Sequence, residues 1–171
     1  MTTHQISRLC SFLALVATSP TLFAGTPINR VINGDAETGD MTGWTPINQL
    51  EARSSSSAGV AGLLECETIG AFSFTGGTGT AIESASQTID IADESVGIDA
   101  GEREFLFRGL LQSRRLGAGL DTGVIEIVLR DAAGNPTASY TLLDLTVSTG
   151  IYDWERLTLS EMIPATTRTI D

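Results

Sequence analysis

"IEIVLRDAAGNPTASYTLL", residues 125–143, is the stretch that decides the fold. Its first six residues alternate. Ile125, Ile127 and Leu129 share one face, and Glu126, Val128 and Arg130 share the other. A period of two is that of an extended chain, so 125–130 reads as a half-buried strand. Asp131 follows at once and can cap a type I turn, while Gly134 can take the left-handed conformation that closes it. "TASYTLL", 137–143, then resumes as a strand, and the unit is a β-hairpin.

Outward from the hairpin the pattern repeats. "REFLFRGLLQ", 103–112, is a strand with Phe105, Phe107 and Leu111 on one face. "AIESASQTIDI", 81–91, puts Ala85, Gln87, Ile89 and Ile91 together, and Gln87 there reads as a buried amide satisfied by neighbouring backbone rather than a ligand group. In "ADESVGIDAG", 92–101, Asp93 is positioned to cap a short helical turn through Ile98 that ends at Gly101. "WERLTLSEMI", 154–163, is a further strand, and "TTRTID", 166–171, begins another. "RSSSSAGVAG", 53–62, reads as a loop too short to link domains. Strands about every ten residues with turn signals between them predict an all-β fold. The expected form is one jelly-roll β-sandwich over 25–171 with a single short helical turn.

Composition agrees. The chain has 171 residues, 42% hydrophobic and 6% aromatic, with 18 glycines, which suits short strands joined by turns around a real core. The net charge is −11 and all ten basic residues are arginine. Such a surface repels phosphate backbones, so nucleic acid is excluded as an expected partner.

The first 24 residues read as an export signal. His4 and Arg8 precede the apolar run "LCSFLALVA", 9–17, and Pro20 and small residues follow. The run is far short of the ~20 residues that span a bilayer. Cleavage is expected after Ala24, giving a secreted or cell-surface chain with no transmembrane segment and 21 acids against nine arginines, a net −12. Cys10 leaves with the signal, so Cys66 has no internal disulfide partner. The only histidine, His4, leaves too, which removes His-based catalysis and His-ligated zinc.

"NGDAETGDMTGW", 33–44, resembles the start of galactose-binding-like jelly rolls, including carbohydrate-binding modules, at Asn33, Gly34, Asp35, Glu37, Gly39, Gly43 and Trp44. Ala36 departs from the usual Phe. "FTGGTGTAIESASQTIDI", 74–91, "IDAG", 98–101, "LRDAAGNPTASYTL", 129–142, and "IPATTRTID", 163–171, are similar to exported bacterial proteins that often carry a sorting tail of the PEP-CTERM kind. Members of that group usually continue through another strand, so the chain reads as a piece lacking its last strand. Trp44 is read as a core plug rather than a sugar platform. Asp35 and Glu37 offer oxygens suited to Ca²⁺, the alternative being that Asp35 simply caps a turn. The resemblance implies a structural calcium joining first and last strands.

Other chemistry is sparse. The acidic pairs Asp35/Glu37, Asp93/Glu94 and Glu102/Glu104 read as surface turns, since a glycosidase needs two carboxyls across a cleft. "TGGTGTAIES", 75–84, lacks the lysine of a phosphate-binding loop. Sugar recognition calls for exposed aromatics and planar polar groups. Two loops supply them: "QSRRLGAGLDTG", 112–123, with Arg114 and Arg115, and "TGIYDWER", 149–156, with Tyr152 and Trp154. The alternative is that Trp154 packs internally and the arginines are solvated. The expected function is a non-catalytic binding module for polysaccharide at the cell surface. The rivals are a structural or adhesive matrix component without a small-ligand site and, behind it, a fragment of a secreted hydrolase.

Overall fold

A computed structural model of the chain describes residues 16–18, 27–54, 70–76, 82–111, 114–116, 119–121, 123–143 and 155–171. In chain order the strands are β1 (Val16–Thr18), β2 (Thr45–Ile47), β3 (Glu51–Ser54), β4 (Phe72–Thr75), β5 (Ser84–Ser86) and β6 (Ile89–Asp90). A 3-10 turn, Ala92–Glu94, then runs into the short helix α1 (Ser95–Asp99). β7 (Glu104–Leu111), β8 (Arg114–Leu116), β9 (Gly119–Asp121), β10 (Val124–Asp131), β11 (Pro136–Leu143), β12 (Glu155–Met162) and β13 (Thr167–Ile170) follow.

Two antiparallel sheets carry the core. One has the order β11-β10-β13-β6 and the other β1-β7-β12. Phe105 and Phe107 of β7 and Ile163 after β12 meet Ile127 and Leu129 of β10 and Ile170 of β13 in one buried cluster, closed at one side by Ile91 and Ile98. The Phe105 and Tyr140 rings bridge the two sheets at 5.7 Å between centroids. Tyr140 sits below Phe105 among apolar groups, and this desolvation, with Glu161 nearby, raises its phenol above the ordinary value. The fold is all-β, a sandwich, with one short helix. Phe105, Ile98 and Leu129 are wholly buried; burial of side chains this size contributes roughly 1.5–3 kcal/mol each.

The 125–143 hairpin forms as its letters predict. Ile125 through Leu129 pair in register with Leu142 through Ala138. Asp131 Oδ1 accepts the backbone N–H groups of Ala133 and Asn135, both within 2.9 Å, and Gly134 has φ +84°. β7 buries Phe105 and Phe107, as its period requires. Thr167 is the one wholly buried polar side chain among the described residues, and its hydroxyl is satisfied by Thr137 Oγ1 and the Pro164 carbonyl.

Four expectations are corrected. The 81–91 strand is two strands, β5 and β6, belonging to different sheets. The break falls at Gln87, whose amide bonds sideways to another loop. Asp93 does not cap the helical segment: Asp90 Oδ1 accepts the N–H of Ala92 at 2.8 Å, and Asp93 pairs with Arg30 instead. Arg53 and Ser54, expected in a loop, lie in β3 opposite Ser73 and Phe72. The loop expected over 113–122 contains the β8–β9 ribbon, with Arg115 opposite Leu120; the stretch is poor in β-branched residues, so its propensity concealed the pairing. Of the expected signal, only Val16–Thr18 is described, and it runs antiparallel along β7 from Leu106 to Glu104.

Candidate functional site

The opening motif folds as a self-capped turn around Asn33. Asn33 Nδ2 donates to the carbonyls of Asp40 and Thr42, and its Oδ1 accepts the N–H of Thr38. The Trp44 indole N–H donates to the Asn33 carbonyl at 3.2 Å. Trp44 is half-buried, edge-on to Phe74 with 5.4 Å between centroids, and lies outside the main core cluster. It therefore plugs the base of the opening loop rather than the centre of the sandwich. Ala36 is buried at φ +61°, a left-handed conformation uncommon for a residue other than glycine.

Gln87 joins this turn to the rest of the fold. Its Oε1 accepts the N–H of Ile32 at 2.8 Å, and its Nε2 donates to the carbonyls of Ile32 and Gly43 at 3.0 and 2.8 Å. The expectation of an amide satisfied by backbone is met, although the side chain is half-buried rather than buried. Gly43 allows the approach, since its φ is +82° and a Cβ there would come within 2.7 Å of Ile32.

Asp35 and Glu37 are used by the fold itself. Asp35 Oδ1 accepts the N–H of Glu37, and Glu37 Oε1 accepts the N–H of Phe72 at 3.0 Å. Among the described residues no group of three or more acids, histidines or cysteines converges as a metal shell would. Calcium takes 6–8 oxygens, so these two carboxylates do not make a shell by themselves. Asp93 and Glu94, another acidic pair, are tied by Arg30 and Arg103. Hydrogen bonding from the Arg30 guanidinium holds Asp93 below the usual carboxylate range.

β7 ends and β12 begins at one end of the sandwich. Glu155, the first residue of β12, pairs with Leu111, the last of β7. Arg114 and Arg115 begin β8 three and four residues beyond Leu111. Tyr152 and Trp154 lie outside the described residues; in the chain, Trp154 directly precedes Glu155. β8 thus begins close in the chain to the end of β7 at which β12 starts. Arg114 is opposite Asp121 in that ribbon. The exposed cross-strand pair Val124 and Leu143 opens the β10–β11 hairpin, and Gly123 beside it abuts Leu111. Cys66 lies outside the described residues.

Two arginines that the sequence reading passed over, Arg108 and Arg156, stand exposed on the outward face of β7 and β12. Period two in "FLFRGLL" was the signal available for Arg108, because it sets that residue opposite in phase to Phe105 and Phe107. No helix among the described residues is long and apolar enough to cross a membrane. Comparison with models of protein families, with curated proteins and with solved structures found no match to this chain.

Proposed function

We propose that the chain is an exported, non-catalytic module of the galactose-binding-like jelly-roll kind that binds carbohydrate at the cell surface. The observation that supports this reading is the register of β7 with β12, in which Glu155 faces Leu111, so that the chain leaves β7 and enters β12 at one end of the sandwich. Arg114, Arg115, Tyr152 and Trp154 then supply, from two strand connections, the guanidinium groups and aromatic rings that sugar recognition uses. Export rests on the apolar run 9–17 and Ala24.

A glycan array probed with the exported chain tests the reading. Retention on a coherent set of glycans is expected. A folded protein that binds no glycan on the array would favour a matrix component without a small-ligand site.

A further inference from the structure

The two edges of β7 are covered very differently. On one side β12 pairs along its whole length, Glu155–Met162 against Leu111–Glu104. On the other side the described residues supply only β1, with Val16, Ala17 and Thr18 opposite Leu106, Phe105 and Glu104. Those three residues belong to the segment that reads as an export signal cleaved after Ala24. Cleavage there takes β1 away. β7 then becomes an edge strand whose outward backbone donors and acceptors are open to another chain.

The ladder fixes which residues face that edge. The Arg103 carbonyl accepts the N–H of Ile163 at 2.9 Å, on the β12 side. In an antiparallel ladder successive residues turn their backbone groups to alternate sides. Glu104, Leu106 and Arg108 therefore turn theirs away from β12, to the edge that β1 covers. Their side chains share the outward face, out of phase with the buried Phe105 and Phe107. Arg108 is exposed, and no carboxylate pairs with it among the described residues. An acid, a leucine and a base in that order are complementary to their own reverse. When two copies lie antiparallel with Leu106 opposite Leu106, Glu104 of each faces Arg108 of the other, and Phe105 faces Phe107 on the inner face. All three outward pairs are then hydrogen-bonded pairs with like faces aligned, and the opposite charges stand directly across the ladder. Centring on Phe107 instead sets Leu106 against Arg108 and loses both ion pairs, so the charges select one register.

We infer that the β7 edge is an interface between two copies of this chain, opened when the signal is removed and centred on Leu106. The inference goes beyond carbohydrate binding and rests only on the export half of the reading above. Two observations carry it. A strand of this chain, β1, already sits antiparallel on the edge, so the edge accepts a strand in that direction. The edge also carries charges that match themselves under a two-fold axis, which is what an interface between identical copies requires. A dimer of this kind joins the β7–β12 sheets of two sandwiches into one continuous sheet. In the uncleaved chain β1 occupies the same backbone groups, so pairing of copies waits for export.

Analytical ultracentrifugation of the exported chain, with its N-terminus read by mass spectrometry, and of the full chain kept uncleaved tests the inference. The exported chain is expected to start at Gly25 and to be dimeric at about 100 µM, a concentration that reveals micromolar association. The uncleaved chain is expected to stay monomeric there. Arg108→Glu sets two like-charge pairs across the two-fold axis and is expected to weaken the dimer about tenfold or more. Glu104→Arg with Arg108→Glu reverses both charges and is expected to restore it, which a merely structural role for either residue would not do. An exported chain that starts at Gly25 and is monomeric overturns the inference and leaves export standing. An exported chain that still begins at Met1 removes the export reading and the inference with it. A dimer indifferent to Arg108→Glu, or an uncleaved chain that dimerises as strongly, also overturns it. Should the doubly altered chain unfold, amide exchange in the unaltered exported chain decides: protection of the Leu106 and Arg108 N–H groups that rises with protein concentration supports the interface, and protection that does not change with concentration overturns it.

Discussion

At the scale of the residue, Gln87 is the most informative position. One amide replaces a stretch of strand pairing by bonding both the N–H and the carbonyl of Ile32 and the carbonyl of Gly43. Removing it leaves those backbone groups with water as their only substitute. Gln87→Ala is therefore expected to cost about 1–3 kcal/mol in chemical denaturation. Gln87→Glu sharpens the test. A carboxylate keeps the bond from the Ile32 N–H but sets a second oxygen against two carbonyls. The folded state then favours the protonated acid, so the variant's pKa is raised on folding. Its penalty is fully present at neutral pH and shrinks as the solution is acidified through the carboxylate range. A penalty that grows on acidification would contradict this geometry.

At the scale of the element, the β10–β11 hairpin is built by local chemistry. Asp131 caps it, and Gly134 supplies a left-handed residue whose Cβ position is open space. Gly134→Ala should thus cost only conformational strain, about 1–2 kcal/mol, measured as a shift in denaturation midpoint with unchanged cooperativity. A neutral substitution would mean the turn is not in this form in solution. The same contrast explains what was legible. The hairpin and β7 could be read because each is specified by letters within a few residues of one another. The split of 81–91 could not, because Gln87 bonds to residues 55 and 44 positions away. Asp93 was misread as a cap for the same reason, its partner Arg30 being 63 positions distant. At the candidate site, Arg114 and Arg115 were visible as residue types, but the pairing of Arg115 with Leu120 and the start of β12 against the end of β7 depend on strand register, which no local pattern encodes.

At the scale of the whole molecule, long-range arginine–carboxylate pairs tie together segments far apart in the chain. Arg168 meets Asp99 at 2.7 Å, Arg30 meets Asp93 at 2.8 Å, and Arg130 meets Asp171. Hydrogen bonds from Arg168, then from the Thr166 N–H, hold Asp99 below the ordinary carboxylate range. A carboxyl depressed on folding binds fewer protons in the native state than in the unfolded one. The stability it contributes is present above the unfolded value and is lost as pH falls through the folded value. The thermal midpoint is therefore expected to fall as pH drops below about 4, and Asp99→Asn is expected to lower the midpoint at neutral pH and flatten that fall. An acid limb as steep in Asp99→Asn as in the unaltered chain would assign the acid sensitivity to other groups.

The most direct measurement of function at this scale is Trp154→Ala, read in two channels at once, glycan binding and thermal midpoint. Trp154 directly precedes Glu155, the first residue of β12, which pairs with Leu111 at the end of β7. If that end binds carbohydrate through a stacked ring, a contact worth ~1 kcal/mol beyond the buried area, binding should weaken several-fold while the midpoint barely moves. A loss of roughly 3–5 kcal/mol of stability, the cost of emptying a large aromatic site, or an unaltered chain that binds no glycan at millimolar concentration, would contradict it.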